Sequence, residues 1–108
     1  MNLQLPKAIA TFFEVSNGDD ISRIADCFTH DAVVRDKDLV YQGHHGIAAW
    51  VQNILSVINF RIVPVDASAD DNRVIVVTKV VGEFPGSPVK IDHIFELASD
   101  KILSLEVR

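Results

Sequence analysis

A chain of 108 residues, 48% of them apolar, is long enough for one domain with a modest core and too short for a separate cofactor domain. Ten basic and 15 acidic residues leave a net charge of −5, which argues against nucleic-acid and anionic-membrane partners, because phosphate contacts need a basic surface. One cysteine, Cys27, excludes a disulfide framework or a thiolate metal cluster and reads as a small core residue. No apolar run approaches the ~20 residues that cross a bilayer, and "MNLQLPKAIATFF" has neither a basic leader region nor a small-residue cleavage site, so the expected compartment is a reducing one, the cytoplasm.

Residues 3 to 16 place Leu5, Ile9, Phe12, Phe13 and Val15 at helical spacing, with Pro6 tolerable in the first turn. "SNGDD" ends that helix, with Gly18 as the stop and Asp19 or Asp20 as the next N-cap. A short second helix is expected over "ISRIADCF". "DAVVRD" then predicts a short strand with Ala32 and Val34 on one face, and "DLVYQG" a second short strand or loop. In "HHGIAAWVQNILSVI", residues Ile47, Trp50, Val51, Ile54 and Leu55 form the apolar side of a third helix.

From residue 60 the period changes to two. "FRIVPVDAS", "RVIVVTKVVGEF", "VKIDHIFEL" and "KILSLEVR" predict four antiparallel strands joined by "ADDN", "PGSP" and "ASD", turn compositions at hairpin lengths. Three helices, a small strand pair and a four-stranded meander make an α+β layout in which the helices cover one face of a curved sheet and enclose a pocket. "VIVVTKVV" carries valine or isoleucine on both faces, which predicts a homodimer through the outer face of the sheet. No GxGxxG, Walker loop or HExxH motif is present, and no cofactor is expected.

The strand "VKIDHIFEL" holds two titratable groups. Alternation puts His93 with Val89, Ile91, Phe95 and Leu97, and sends Asp92 to the opposite face with Lys90, Ile94 and Glu96. Asp36, at the end of "DAVVRD", reads equally as a general base at an apolar pocket mouth or as a turn-forming carboxylate. His44 and His45 are adjacent at a helix start, so their rings diverge, and they read as a surface cap region and not a metal site. Phe12, Phe13, Tyr41, Trp50 and Phe60 are candidates for the floor of an apolar ligand pocket, or are simply core.

The order of elements, with "FTHDAVVRD", "YQGHHGIAAW" and "DKILSLEV", resembles the nuclear transport factor 2-like superfamily, in particular its SnoaL-like and ketosteroid isomerase-like members, over nearly the whole chain. The resemblance implies a cone of three N-terminal helices on a curved antiparallel sheet, a scaffold that hosts isomerases, dehydratases, cyclases, epoxide hydrolases and binding modules. By motif, Asp36 matches the isomerase general base and Asp92, in "IDH", the oxyanion-hole acid, while the oxyanion tyrosine position falls on Phe12, which has no donor. SnoaL-like cyclases carry an aspartate where His93 stands if Phe95 and Leu97 face the cone. The implied site is therefore Asp36 with His93 or Asp92, lined by Phe12, Phe13, Tyr41, Trp50, Phe60 and Phe95. The implied ligand is a polyketide, steroid or terpenoid-like molecule, either turned over by acid–base chemistry or only bound.

Overall fold

A computed structural model describes residues 4–57 and 59–108. Leu3 and Ile58, which the sequence reading placed in the first and third helices, lie outside the described residues. The order of elements is α1 (Lys7–Ser16), a 3₁₀ turn (Ile21–Arg23), α2 (Ile24–Cys27), β1 (Phe28–Asp36), β2 (Leu39–Gln42), α3 (Gly43–Val57), β3 (Phe60–Asp70), β4 (Arg73–Gly82), β5 (Val89–Ala98) and β6 (Lys101–Val107).

Pro6 immediately precedes α1, where its missing N–H would have had no helical partner. Gly18, at φ +106°, takes the chain out of the helix in a conformation that costs a residue without Cβ nothing. Asp20 then caps the following turn, its carboxylate accepting from the Ser22 N–H. The second helix is shorter than expected: after one 3₁₀ turn and four α residues, Phe28 is already extended and paired with Ile102. Its backbone groups go to β6, a partner 74 positions away that local spacing does not reveal.

The sheet also differs from the expectation of a four-stranded meander with a separate strand pair. All six strands form one sheet in the order β2-β1-β6-β5-β4-β3. β1 runs parallel to β6, so the sheet is mixed and not wholly antiparallel. The three helices are not all N-terminal either, because α3 follows β1 and β2. Two-residue turns join β1 to β2, β3 to β4 and β5 to β6, with Lys37, Asp71 and Ser99 each near φ +58° (58°, 58° and 57°).

The expected apolar stripes do meet. Ile9, Phe12, Phe13 and Val15 of α1, Ile47, Trp50 and Val51 of α3, and Val74, Val76, Phe95, Ile102 and Leu105 of the sheet form one buried cluster. Cys27 is fully buried in it, and burial pushes its thiol up to about 11, far from a reactive thiolate. Trp50 stacks parallel to Phe12 with ring centroids 6.2 Å apart. No described helix is long and apolar enough to cross a membrane. Because Trp50 is 6% exposed and joins α1 to α3, Trp50→Ala is expected to cost ~3–5 kcal/mol in urea denaturation; a loss below ~1 kcal/mol would mean that the ring carries no packing.

Candidate functional site

β4 and β5 pair with Val76 opposite His93, Thr78 opposite Ile91 and Val74 opposite Phe95. Since alternate residues share a face, this register puts Val89, Ile91, His93 and Phe95 toward the helices and Lys90, Asp92 and Glu96 away from them. His93 is 4% exposed, whereas Asp92 is exposed, its backbone paired with Arg108 in both directions. The "IDH" match, which would bring Asp92 inside, is thus corrected by the pleat: Asp92 does not reach the cone.

Between the sheet and the helices lies a partly open cavity of about 380 Å³. Phe12 and Ser16 reach it from α1, and Trp50, Val51 and Ile54 from α3. Phe60, Ile62, Val80, Val89, Ile91, His93 and Val107 come from the sheet, Phe84 from the β4–β5 connection, and Asp36 and Lys37 from the end of β1. Of the aromatic residues expected in the lining, Phe12, Trp50 and Phe60 are there, while Phe13, Tyr41 and Phe95 are not. Phe13 lies about 100° around the helix from Phe12 and packs edge-on against the His93 ring at 5.3 Å. Phe95 stacks on His93 from the core side at 6.1 Å, and Tyr41 backs Trp50 at 5.9 Å. These three support the site from behind.

Two polar groups are built into this apolar surround. The Trp50 indole N–H donates to Asp36 Oδ2 at 3.1 Å, which fixes the carboxylate at the cavity with its other oxygen free of a protein partner among the described residues. On the sheet side, the Thr78 hydroxyl donates to the Ile91 carbonyl at 3.0 Å and lies 3.5 Å from His93 Nδ1. Burial is the main influence on His93 and lowers its pKa to about 4, against the smaller opposing pulls of Asp36 and the Ile91 carbonyl. The imidazole is neutral at pH 7.

His44 donates a ring N–H to the Phe28 carbonyl at 2.8 Å, so it ties α3 to β1, while His45 is exposed. Among the described residues no group of three or more His, Cys, Asp and Glu could hold a metal ion. Sequence reasoning missed Val89 and Ile91, although they share the alternation that located His93. It also missed Phe84, which arrives from a connection without periodicity, and Thr78, whose role depends on cross-strand register.

A curved six-stranded sheet covered by helices around an apolar cavity is the cone-shaped fold of the nuclear transport factor 2-like proteins, the class that includes the ketosteroid isomerase-like ones. Residues 9–105 match the model of the SnoaL-like domain, and the chain belongs to that family. Among solved structures it is similar to a proposed polyketide cyclase from Sinorhizobium meliloti, with 29% identity, a TM-score of 0.90, and 96% of this chain and 95% of that one covered. A protein of ketosteroid isomerase-like fold from Catenulispora acidiphila, solved with trimethylamine, shares 15% identity at a TM-score of 0.84, covering 97% of this chain and 86% of that one. A proposed isomerase of the SnoaL-like family from Agrobacterium tumefaciens shares 16% at 0.80, covering 93% and 92%. No curated protein matches.

The depressed pKa of His93 makes stability depend on pH with a definite sign. Unfolded, the ring takes a proton near 6.5; folded, not until about 4, so the unfolded state binds more protons between these values and stability falls as pH drops through that window. Lowering pH from 7 to 5 is expected to remove ~2 kcal/mol through this group, and His93→Phe to reduce the loss by that amount, as measured by urea denaturation at both pH values.

Proposed function

We propose that this protein binds a small, largely apolar molecule in its cone and moves protons on it, in the manner of the isomerase- and cyclase-like members of its fold. Asp36 is the proton acceptor, held in place by Trp50. His93 is the neutral polar partner two strands away in the same sheet, both residues being in register with Val107 of β6. The observation that carries the reading is the pairing of a carboxylate and a neutral imidazole in a cavity otherwise lined almost entirely by aliphatic and aromatic side chains. A core with no ligand to hold gains nothing from a buried histidine, since burying a polar ring in apolar surroundings costs free energy. The 29% identity to a proposed polyketide cyclase, over nearly the full length of both chains, supports a ring-forming or isomerising reaction on a polyketide-like or similar carbon skeleton.

The same cavity would also serve a binding module without turnover, and Asp36 separates the two. Trp50 is the chain's one tryptophan and lines the cavity, so its fluorescence reports occupancy. With a panel of apolar hydroxyketones, the native protein is expected to catalyse ring closure. Asp36→Asn should slow this ~10²–10⁴-fold while fluorescence still shows binding. Binding with no turnover by the native protein would leave the binding-module reading, and turnover untouched by Asp36→Asn would overturn the role of Asp36.

We further propose a homodimer through the outer face of the sheet, in keeping with exposed Val63, Val65 and Val81 on β3 and β4. Sedimentation velocity at micromolar concentration is expected to give twice the chain mass; a monomer would end this part of the proposal.

A further inference from the structure

The hydrogen-bond partners of His93 determine which of its nitrogens carries the proton, and with it the kind of ligand the cavity accepts. Thr78 is fully buried, and its hydroxyl has one hydrogen to give. At 3.0 Å from the Ile91 carbonyl, which can only accept, the hydroxyl must give its hydrogen there. Its oxygen lone pairs then face His93 Nδ1 at 3.5 Å, and the only attractive arrangement is an Nδ1–H donating to Thr78 Oγ1. In a neutral imidazole with Nδ1 protonated, Nε2 holds a lone pair and no hydrogen. Among the described residues no protein group hydrogen-bonds Nε2, and no buried polar side-chain atom is left without a partner, so Nε2 opens onto the cavity.

Resting on the reading that the cone is a ligand site, we infer that the two fixed polar groups lining it, His93 Nε2 and the free oxygen of Asp36, are both hydrogen-bond acceptors, and that the ligand is a neutral, hydroxyl-bearing apolar molecule. The indole N–H of Trp50, the donor closest to the carboxylate, is occupied by Asp36. Phe12 supplies none. Lys37 is exposed, at the rim, and the Ser16 hydroxyl adapts to either role. A carbonyl oxygen or an enolate would thus meet lone pairs at both fixed groups, whereas a hydroxyl meets an acceptor at either. Thr78 is the positioning residue: it touches no ligand and acts by holding the tautomer.

The proton that leaves such a ligand comes from oxygen. Asp36 takes it while the O–H bond electrons form a C–O bond to a carbonyl carbon of the same molecule; the C=O π pair moves to the carbonyl oxygen, which takes the proton back from Asp36 and leaves a cyclic hemiketal. The neutral His93 Nε2 accepts a second hydroxyl and orients the ligand.

The test uses the full chain, with 4-tert-butylcyclohexanol, 4-tert-butylcyclohexanone and the methyl ether of the alcohol as matched probes read by Trp50 fluorescence. The alcohol is expected to bind about tenfold tighter than the ketone or the ether, the worth of one hydrogen bond. ¹⁵N NMR of His93 is expected to show a protonated Nδ1 and an unprotonated Nε2 at pH 7. His93→Phe should lessen the preference for the alcohol. The isosteric Thr78→Val should lessen it too by freeing the tautomer, in a protein whose cavity-lining atoms are unchanged. Ketone binding equal to or tighter than alcohol binding, or an Nε2–H tautomer in the native protein, would overturn the inference and leave the ligand cavity standing. Failure of all three probes to bind would overturn both.

Discussion

The cavity exists in its present form because β4 and β5 are paired with Val76 opposite His93. A shift of this pairing by a single residue would send His93, Ile91 and Val89 to the outer surface and bring Asp92, Lys90 and Glu96 under the helices, three charges where an imidazole now sits. The apolar helices α1 and α3 make that alternative prohibitively costly, since isolated charges in an apolar surround lose their hydration. The register is thus enforced by the same burial that creates the pocket. Phe12, Trp50 and Val51 belong both to the cavity lining and to the buried core cluster.

This overlap has an energetic side. Phe12 and Trp50 hold α1 and α3 together by stacking, and both also line the cavity; Trp50 in addition orients Asp36 through its indole N–H. His93 is wedged between Phe13 and Phe95, with its remaining edge toward the cavity. Such a ring is tolerated because Thr78, whose hydroxyl donates to the Ile91 carbonyl, satisfies one nitrogen and the other has the cavity. Neutrality is the form that this environment allows, so the group faces the cavity as a dipole and not as a charge.

Similarity of fold across this class does not carry its chemistry. Structures at 15% and 16% identity superimpose well on this chain, yet what it can do depends on the side chains at a few positions. Where the ketosteroid isomerase-like pattern calls for a tyrosine hydroxyl there is Phe12, and where it calls for an inward aspartic acid the inward residue is His93. Both changes remove donors aimed at an oxyanion. The polar set that remains, a carboxylate and an imidazole lone pair, suits the removal of a proton from a ligand hydroxyl.

Much of the fold could be read along the chain, because helix and strand periods are local. Helical spacing over residues 3 to 16 located α1, alternation in "VKIDHIFEL" located β5 and the inward direction of His93, and "ASD" located a tight hairpin. Pairings between distant segments could not be read that way: the parallel match of β1 to β6, which merges two sheets into one and cuts α2 short at Phe28, has no local signature. The candidate site divides along the same line. Asp36 and His93 stood out as titratable residues in apolar segments. That Phe13, Tyr41 and Phe95 stand behind the cavity and not in its wall, that Trp50 holds Asp36, and that Thr78 faces His93 Nδ1 are consequences of packing across elements. Periodicity tells a residue which face of its own element it occupies, while depth within the core and hydrogen-bond partners depend on what the rest of the chain brings against that face.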